Sequence, residues 1–259
     1  MEKNIVTPMD PNYIPPEYAI PYDVVDLPSQ GILYPNKISS IKVEYLTAFD
    51  ETILSSPNIA TSGKMLDILL ERKIKDLGFD SVDLLISDRV AILLFLRSTA
   101  FGPDYTQLVI DTNGEVVEGT IDLSTLKQKK LTINPDPNGL FDFKLPTTKQ
   151  IVKFKFLTGR DEQEIGVLDK NYKEKTNSDI SNTIFFRLEK QVQSIDGVTD
   201  KIKLSHMLKT LTLRDARLLR QYMDEIEPGI DFKTKARIRG EESVECFLRF
   251  NSSFFFPKL

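Results

Sequence analysis

Few residues in this chain can do covalent or metal chemistry. There is one histidine, His206, one cysteine, Cys246, and no tryptophan. His206 stands between Leu204 and Met207 with no partner at metal-ligand spacing, so it reads as a structural histidine. Cys246 falls on the apolar side of an alternating stretch and reads as a buried, inert thiol. A lone cysteine excludes an intrachain disulfide and a cysteine-paired zinc site. Neither a Gly-x-x-x-x-Gly-Lys phosphate loop nor a Gly-x-Ser-x-Gly nucleophile turn occurs. What remains are paired carboxylates: Asp50 with Glu51, and Asp161 with Glu162. Two acids converging in a pocket could run acid–base catalysis. Each pair, however, follows a threonine in a Thr-x-x-Asp arrangement. There the hydroxyl takes an orphan amide of the first helical turn, and the aspartate lies at the positive helix end. We therefore expect Thr47, Asp50, Thr158, Asp161 and Thr212 as structural caps. We expect no catalytic, metal or cofactor-binding residue and no cofactor.

These caps sit in a repeat. Ile41–Glu51 matches Val152–Glu162 at a constant offset of 111, with Lys42/Lys153, Leu46/Leu157, Thr47/Thr158, Asp50/Asp161 and Glu51/Glu162 identical and Pro35/Pro146 upstream. Ile41, Val43 and Tyr45 alternate with polar residues, as do Val152, Phe154 and Phe156. That is the period of a half-buried strand, here running straight into a capped helix. Met65–Ile74 and Ile184–Ile195 read as matching amphipathic helices. Ser87–Phe101 and Thr212–Ile226 read as matching longer ones at an offset of 125. The difference in offsets implies about fourteen extra residues in the second half, and the polar stretch 169–182 reads as a solvated loop that holds them.

Each half then ends in a hairpin. Asn113-Gly114 lies between apolar runs. In the second hairpin Lys233, Lys235, Arg237 and Arg239 share one face. Matching apolar faces pairs Ile238 with Val244, Ala236 with Cys246, Thr234 with Leu248 and Phe232 with Phe250, and places Arg237 opposite Glu245. The expected fold is α+β: two related strand–helix–helix–hairpin halves from an internal duplication, with an extended N-terminal arm. The boundaries are an extended proline-rich arm at 1–28, a first half at 29–126, a linker at 127–147 and a second half at 148–259.

The chain has 259 residues, 34 basic and 38 acidic, for a net charge of −4. An acidic balance is a poor footprint for nucleic acid. No apolar run of about 18 residues is long enough to span a membrane. The first residues, Met1-Glu2-Lys3-Asn4, lack the apolar stretch of a secretory signal. Partners are then expected to be proteins. The arm carries Tyr13, Tyr18 and Tyr22 among six of the fourteen prolines, either as a loose tail or as anchors on a partner. Lys233, Lys235 and Arg237 either guard an edge strand against aggregation or dock onto an acidic partner. Phe254, Phe255 and Phe256 cannot all face one side of a strand, so this chain or another buries the second side.

Asp26-Leu-Pro-Ser-Gln-Gly-Ile-Leu-Tyr34, the strand into Leu46-Thr-x-x-Asp-Glu51, Ser87-Asp88-Arg89 opening Ile92–Arg97, Phe101-Gly102, Tyr105, Asp122-Leu-Ser-Thr-Leu126 and the closing Phe255-Phe256-Pro257 follow one another in that order. In this order the chain resembles the T4-type bacteriophage baseplate protein family, over roughly residues 23–126 well and the second half weakly. The resemblance implies a non-enzymatic structural or assembly role in the hub region of a contractile phage tail baseplate. The location is then the virion or, during assembly, the host cytoplasm. Its partners are other phage tail and baseplate proteins, or further copies in a symmetric assembly. A tail-assembly chaperone absent from the mature virion is the alternative, and a carboxylate enzyme the second. Some family members carry cysteine pairs at the hairpins. Here Val109–Glu118 and Ile238–Cys246 hold none, so the resemblance brings no metal role.

Overall fold

The computed structural model describes residues 19–54, 65–177, 179–238, 243–249 and 252–255. The fold is mixed α+β. Strand β1 (Tyr22–Asp26) pairs antiparallel with β2 (Ser40–Glu44), from Tyr22 opposite Glu44 to Asp26 opposite Ser40. Ile41 and Val43 of β2 are buried and Lys42 between them is exposed, as their alternation requires. Helix α1 (Ala48–Leu54) follows, then α2 (Met65–Lys73), which runs directly into β3 (Ile74–Lys75). β3 pairs with the free side of β2, giving the order β1-β2-β3. A 3₁₀ turn at Ser81–Asp83 leads into α3 (Ile86–Phe101) and then the hairpin β4 (Asp104–Ile110) and β5 (Val116–Asp122), which turns at Asp111–Gly114.

After the short strand β6 (Gln128–Lys129), elements recur in a similar order. Strands β7 (Phe141–Lys144) and β8 (Ile151–Phe154) form a hairpin, followed by α4 (Gly159–Thr176) and α5 (Thr183–Gln191). α5 runs directly into β9 (Val192–Ile195), which pairs on the free side of β8 to give the order β7-β8-β9. Helices α6 (Lys201–Lys209) and α7 (Leu213–Ile226) come next, then β10 (Gly229–Ile230), β11 (Lys233–Ile238) and β12 (Val244–Phe247). A single cluster of buried side chains extends from Leu27 to Phe255 through both halves.

Several expectations shift. Residues 22–26, placed in the arm, form a strand rich in β-branched residues. The linker contributes β6 and β7. The stretch 169–182 is no loop at its start: α4 continues to Thr176. Asp169 is half-neutralised by Lys173 one turn on, and it accepts from Ser181 and from the Asn182 amide, which turns the chain back. Asp88 and Asp215 each stand third in their long helices, 127 residues apart. In that register Asp88 and Asp215, Ile92 and Leu219, and Leu96 and Met223 are the buried pairs. Pro146 follows β7 in Leu145-Pro146-Thr147, as Pro28 follows β1 in Leu27-Pro28-Ser29.

The second hairpin keeps its apolar face but slips by two residues. Ala236 lies opposite Val244, Thr234 opposite Cys246 and Lys235 opposite Glu245. A slip of two preserves the faces, which is why alternation alone could not choose between the registers. The reason for the slip is tertiary. Arg237 and Ile238 leave β12 to pair with Thr120 and Gly119 of β5, giving a four-stranded order β12-β11-β5-β4. β11 is thus flanked by β12 along Lys233–Ala236 and by β5 at Arg237 and Ile238. The two outer strands are tied together by Gln107 of β4. Its amide nitrogen donates to the Phe247 carbonyl at 2.8 Å, and its oxygen accepts from the Arg249 amide at 2.9 Å. A side-chain amide here does what the next strand's peptide group would do.

Candidate functional site

The outer face of this four-stranded sheet gathers the predicted basic residues. Alternation sends Lys233, Lys235 and Arg237 outward from β11, Thr120 and Asp122 from β5, and Glu245 and Phe247 from β12. All of these but Phe247 line a groove of about 620 Å³ together with Lys127 and Asp231. Two of the three basic residues are neutralised by this chain: Arg237 pairs with Asp104 at 2.7 Å and Lys233 with Glu245 at 3.2 Å, all four side chains more than half exposed. Exposed pairs of this kind are worth under about 1 kcal/mol and open readily to a partner. Beside them Ile110 and Val116 lie directly opposite each other at the tip of β4–β5, both about two-thirds exposed. Leu108 and Phe247 add to this apolar margin. The surface is a mixed polar and apolar one, suited to protein contact rather than to a polyanion.

The other candidates scatter. Tyr22 is exposed on β1, with the Lys42 ammonium 5.6 Å from its ring centre. Tyr13 and Tyr18 lie outside the described residues, as does Phe256. Phe254 and Phe255 are not a partner surface: both are buried by this chain. Phe254 packs 5.0 Å from the Tyr105 ring, and its carbonyl accepts from Arg97 at 2.8 Å. Arg97 is itself buried and gives its remaining donors to the carbonyls of Gly102 and Asp104. Burial lowers its pKa, against the pull of Tyr105.

Thr158 caps α4 in a reciprocal box with Asp161, and Thr212 caps α7 by accepting from the Asp215 amide. Asp50 accepts from the Thr47 amide and hydroxyl at 2.8 Å each, and also from the buried Lys73. Asp161 accepts likewise from Thr158, with Lys155 at 2.7 Å. Burial pushes both carboxyls up, but these donors outweigh it and hold both below the ordinary range. Both oxygens of Asp50 and one oxygen of Asp161 are thus engaged at helix starts. His206 is exposed on α6. Cys246 is half-buried and its thiol is pushed up by burial. Among the described residues, no group of three metal-ligating side chains converges, and no helix is long and apolar enough to cross a membrane.

Two sites escaped the residue-by-residue reading. The first is Asp88, fully buried at the third position of α3. It accepts from the Ser29 amide at 2.9 Å, from the Ser29 hydroxyl at 2.6 Å and from the Tyr34 hydroxyl. Tyr34 in turn accepts from the Leu85 amide at 2.9 Å. Burial raises Asp88 despite these donors, and it pushes Tyr34, next to that carboxylate, far above the usual phenol. Asp215 takes the same position in α7 and accepts from the amides of Thr147 and Thr148. The available signal was Leu-Pro followed by Ser or Thr after each first strand. The second is Glu227, at the C-terminal end of α7 beside a cavity of about 210 Å³ lined by Leu157, Arg187, Arg220 and Met223. Burial and Asp224 raise its pKa to about 7, against the pull of Arg187 and Lys129. Nothing in its sequence neighbourhood marks it.

No family model, curated protein or solved structure matches this chain.

Proposed function

We propose that the protein is a structural and assembly component of a contractile phage tail baseplate, in the hub region, and that it acts through protein–protein contacts without catalysing a reaction. The observation that carries this reading is the Asp88 network. Ser29, Tyr34 and Asp88 come from two of the motifs that carry the resemblance, and they meet in one buried cluster. A motif that builds a fold in this way travels with the fold. The outer face of the four-stranded sheet supplies a contact surface of the right composition. Its partners are other tail and baseplate proteins, and its places are the virion and the host cytoplasm during assembly.

The two halves are read as an internal duplication. Support comes from the shared order of elements and from Leu27-Pro28-Ser29 and Leu145-Pro146-Thr147, which present amides to Asp88 and Asp215 alike. Loss of the chain from a phage should leave filled heads without functional baseplates; normal tails from such a mutant would sink the proposal. Mass spectrometry of purified virions then decides between a retained subunit and a chaperone that departs.

A further inference from the structure

The two halves of the chain dock in one direction. The start of α4 lies against the lead-in to α3: Thr158 and Leu85 form a bridge in which Ile86 N donates to Leu157 O at 3.0 Å and Gly159 N donates to Leu84 O at 3.0 Å. Leu84, Leu85, Leu157 and Gly159 are buried there. Arg160 completes the contact with Asp80 at 3.0 Å and Asp83 at 2.6 Å.

Each partner in that contact has a counterpart that stays open. Leu46-Thr47-Ala48-Phe49 corresponds to Leu157-Thr158-Gly159-Arg160, and Leu211-Thr212-Leu213 corresponds to Leu84-Leu85-Ile86. Phe49 is 65% exposed and Leu213 is 80% exposed. Among the described residues, the Ala48 and Leu213 amides, both first-turn orphans, have no acceptor.

The two open ends also differ from the closed contact in a matched way. A Cβ on Gly159 would stand 2.6 Å from Arg89 Nη1, so the closed contact needs glycine opposite arginine. It would also stand 2.8 Å from the Val82 carbonyl, which belongs to the 3₁₀ turn that the longer α6 replaces. In the open pair alanine, Ala48, faces the position of Ala216, where no long side chain intrudes. In the closed contact the cation of Arg160 meets Asp80 and Asp83. In the open pair Phe49, whose ring has the Arg72 guanidinium 5.1 Å from its centre, would meet Met207 and Thr210 at the positions of Asp80 and Asp83, followed by the exposed Leu213. Glycine with arginine becomes alanine with alanine, and a cation facing two acids becomes an aromatic ring facing uncharged side chains.

We propose that a second copy of this chain docks head to tail, its Leu46–Phe49 segment on Leu211–Leu213 of the first, repeating between molecules the contact made once within each. This rests on the two-unit reading of the fold. The interface is heterologous, so it propagates into a ring or a filament rather than stopping at a symmetric dimer.

Sedimentation of the full-length protein over a range of concentrations tests this. Wild-type chain should associate beyond a dimer as concentration rises. Phe49→Asp and Leu213→Asp each spoil one end and should each stay monomeric, with unchanged circular dichroism because both residues are exposed. An equimolar mixture of the two variants should recover a complex that stops at two chains, since one intact end of each kind remains. Wild-type protein that stays monomeric at its highest soluble concentration overturns the proposal. So does association that both substitutions leave intact, or variants that fail to recombine. None of these results bears on the baseplate reading, which the mutant phage and virion composition test separately.

Discussion

At the scale of single residues, Tyr34 has two jobs in one hydroxyl. It donates to Asp88 and accepts from the Leu85 amide, all three groups being buried. Tyr34→Phe keeps the ring but strands a carboxylate oxygen without its donor and an amide without its acceptor, so a loss of about 1–3 kcal/mol is expected from urea unfolding. An unchanged midpoint would mean that the hydroxyl is not part of the network. Glu227 gives a prediction with a pH sign. Its folded pKa of about 7 lies above the ordinary 4.5, so the folded chain binds the extra proton between those values. Stability is therefore fully present below the ordinary value and falls as pH rises through about 7. Glu227→Gln should raise the melting temperature at about pH 8, by an amount on the order of 2 kcal/mol in stability, and leave it nearly unchanged at about pH 4. Equal effects at the two pH values would contradict a protonated Glu227.

At the scale of elements, the helix starts carry the cost of being entered straight from a strand. Four N-terminal amides need acceptors within one turn, and the Thr-x-x-Asp unit supplies two of them reciprocally. Thr158→Ala should cost about 1 kcal/mol, read as a lower melting temperature; no change would show that Asp161 alone holds the turn. The same carboxylate sets an acid limit. Asp161 is held below the usual carboxylate range, so the stability it contributes is present above that range and is lost as pH falls through its lowered pKa. The repeat of this unit was legible because the chemistry is local: a hydroxyl and an acid three residues apart see each other in any context. The Asp88 and Asp215 networks use the same acid at the third helical position but take donors 59 and 68 residues away, which no local pattern records.

At the scale of the whole molecule, the chain ends play different parts. The C-terminal Phe254 and Phe255 close the core over Arg97 and Tyr105, and so belong to the fold. The N-terminal side enters the structure through β1, with the Pro21 carbonyl accepting from Tyr45 at 2.9 Å. Removing residues 1–18 leaves that strand and its pairing intact. Such a protein should therefore fold with unchanged melting temperature while failing to support phage assembly. Full titre from a phage carrying only the shortened chain would show that Tyr13 and Tyr18 anchor nothing.

The strand stretches Ile41–Glu44 and Val152–Phe154, the Thr158 and Thr212 helix caps, the Asn113-Gly114 turn and the scarcity of reactive residues were all decided by sequence, because each depends on neighbours within a few positions. Alternation along 232–239 likewise decided which side chains share a face, since a strand has a period of two in any surroundings. It could not decide the register, because slips of two residues are equivalent until a third strand arrives. Only the tertiary structure set β5 beside β11 and thereby moved Lys235 opposite Glu245 and Arg237 onto Asp104. The burial of Phe254 against Tyr105 and the Asp88 network have the same origin. Each depends on groups distant along the chain and close in space, and the free energy of burial is set by that proximity rather than by the residue's own type.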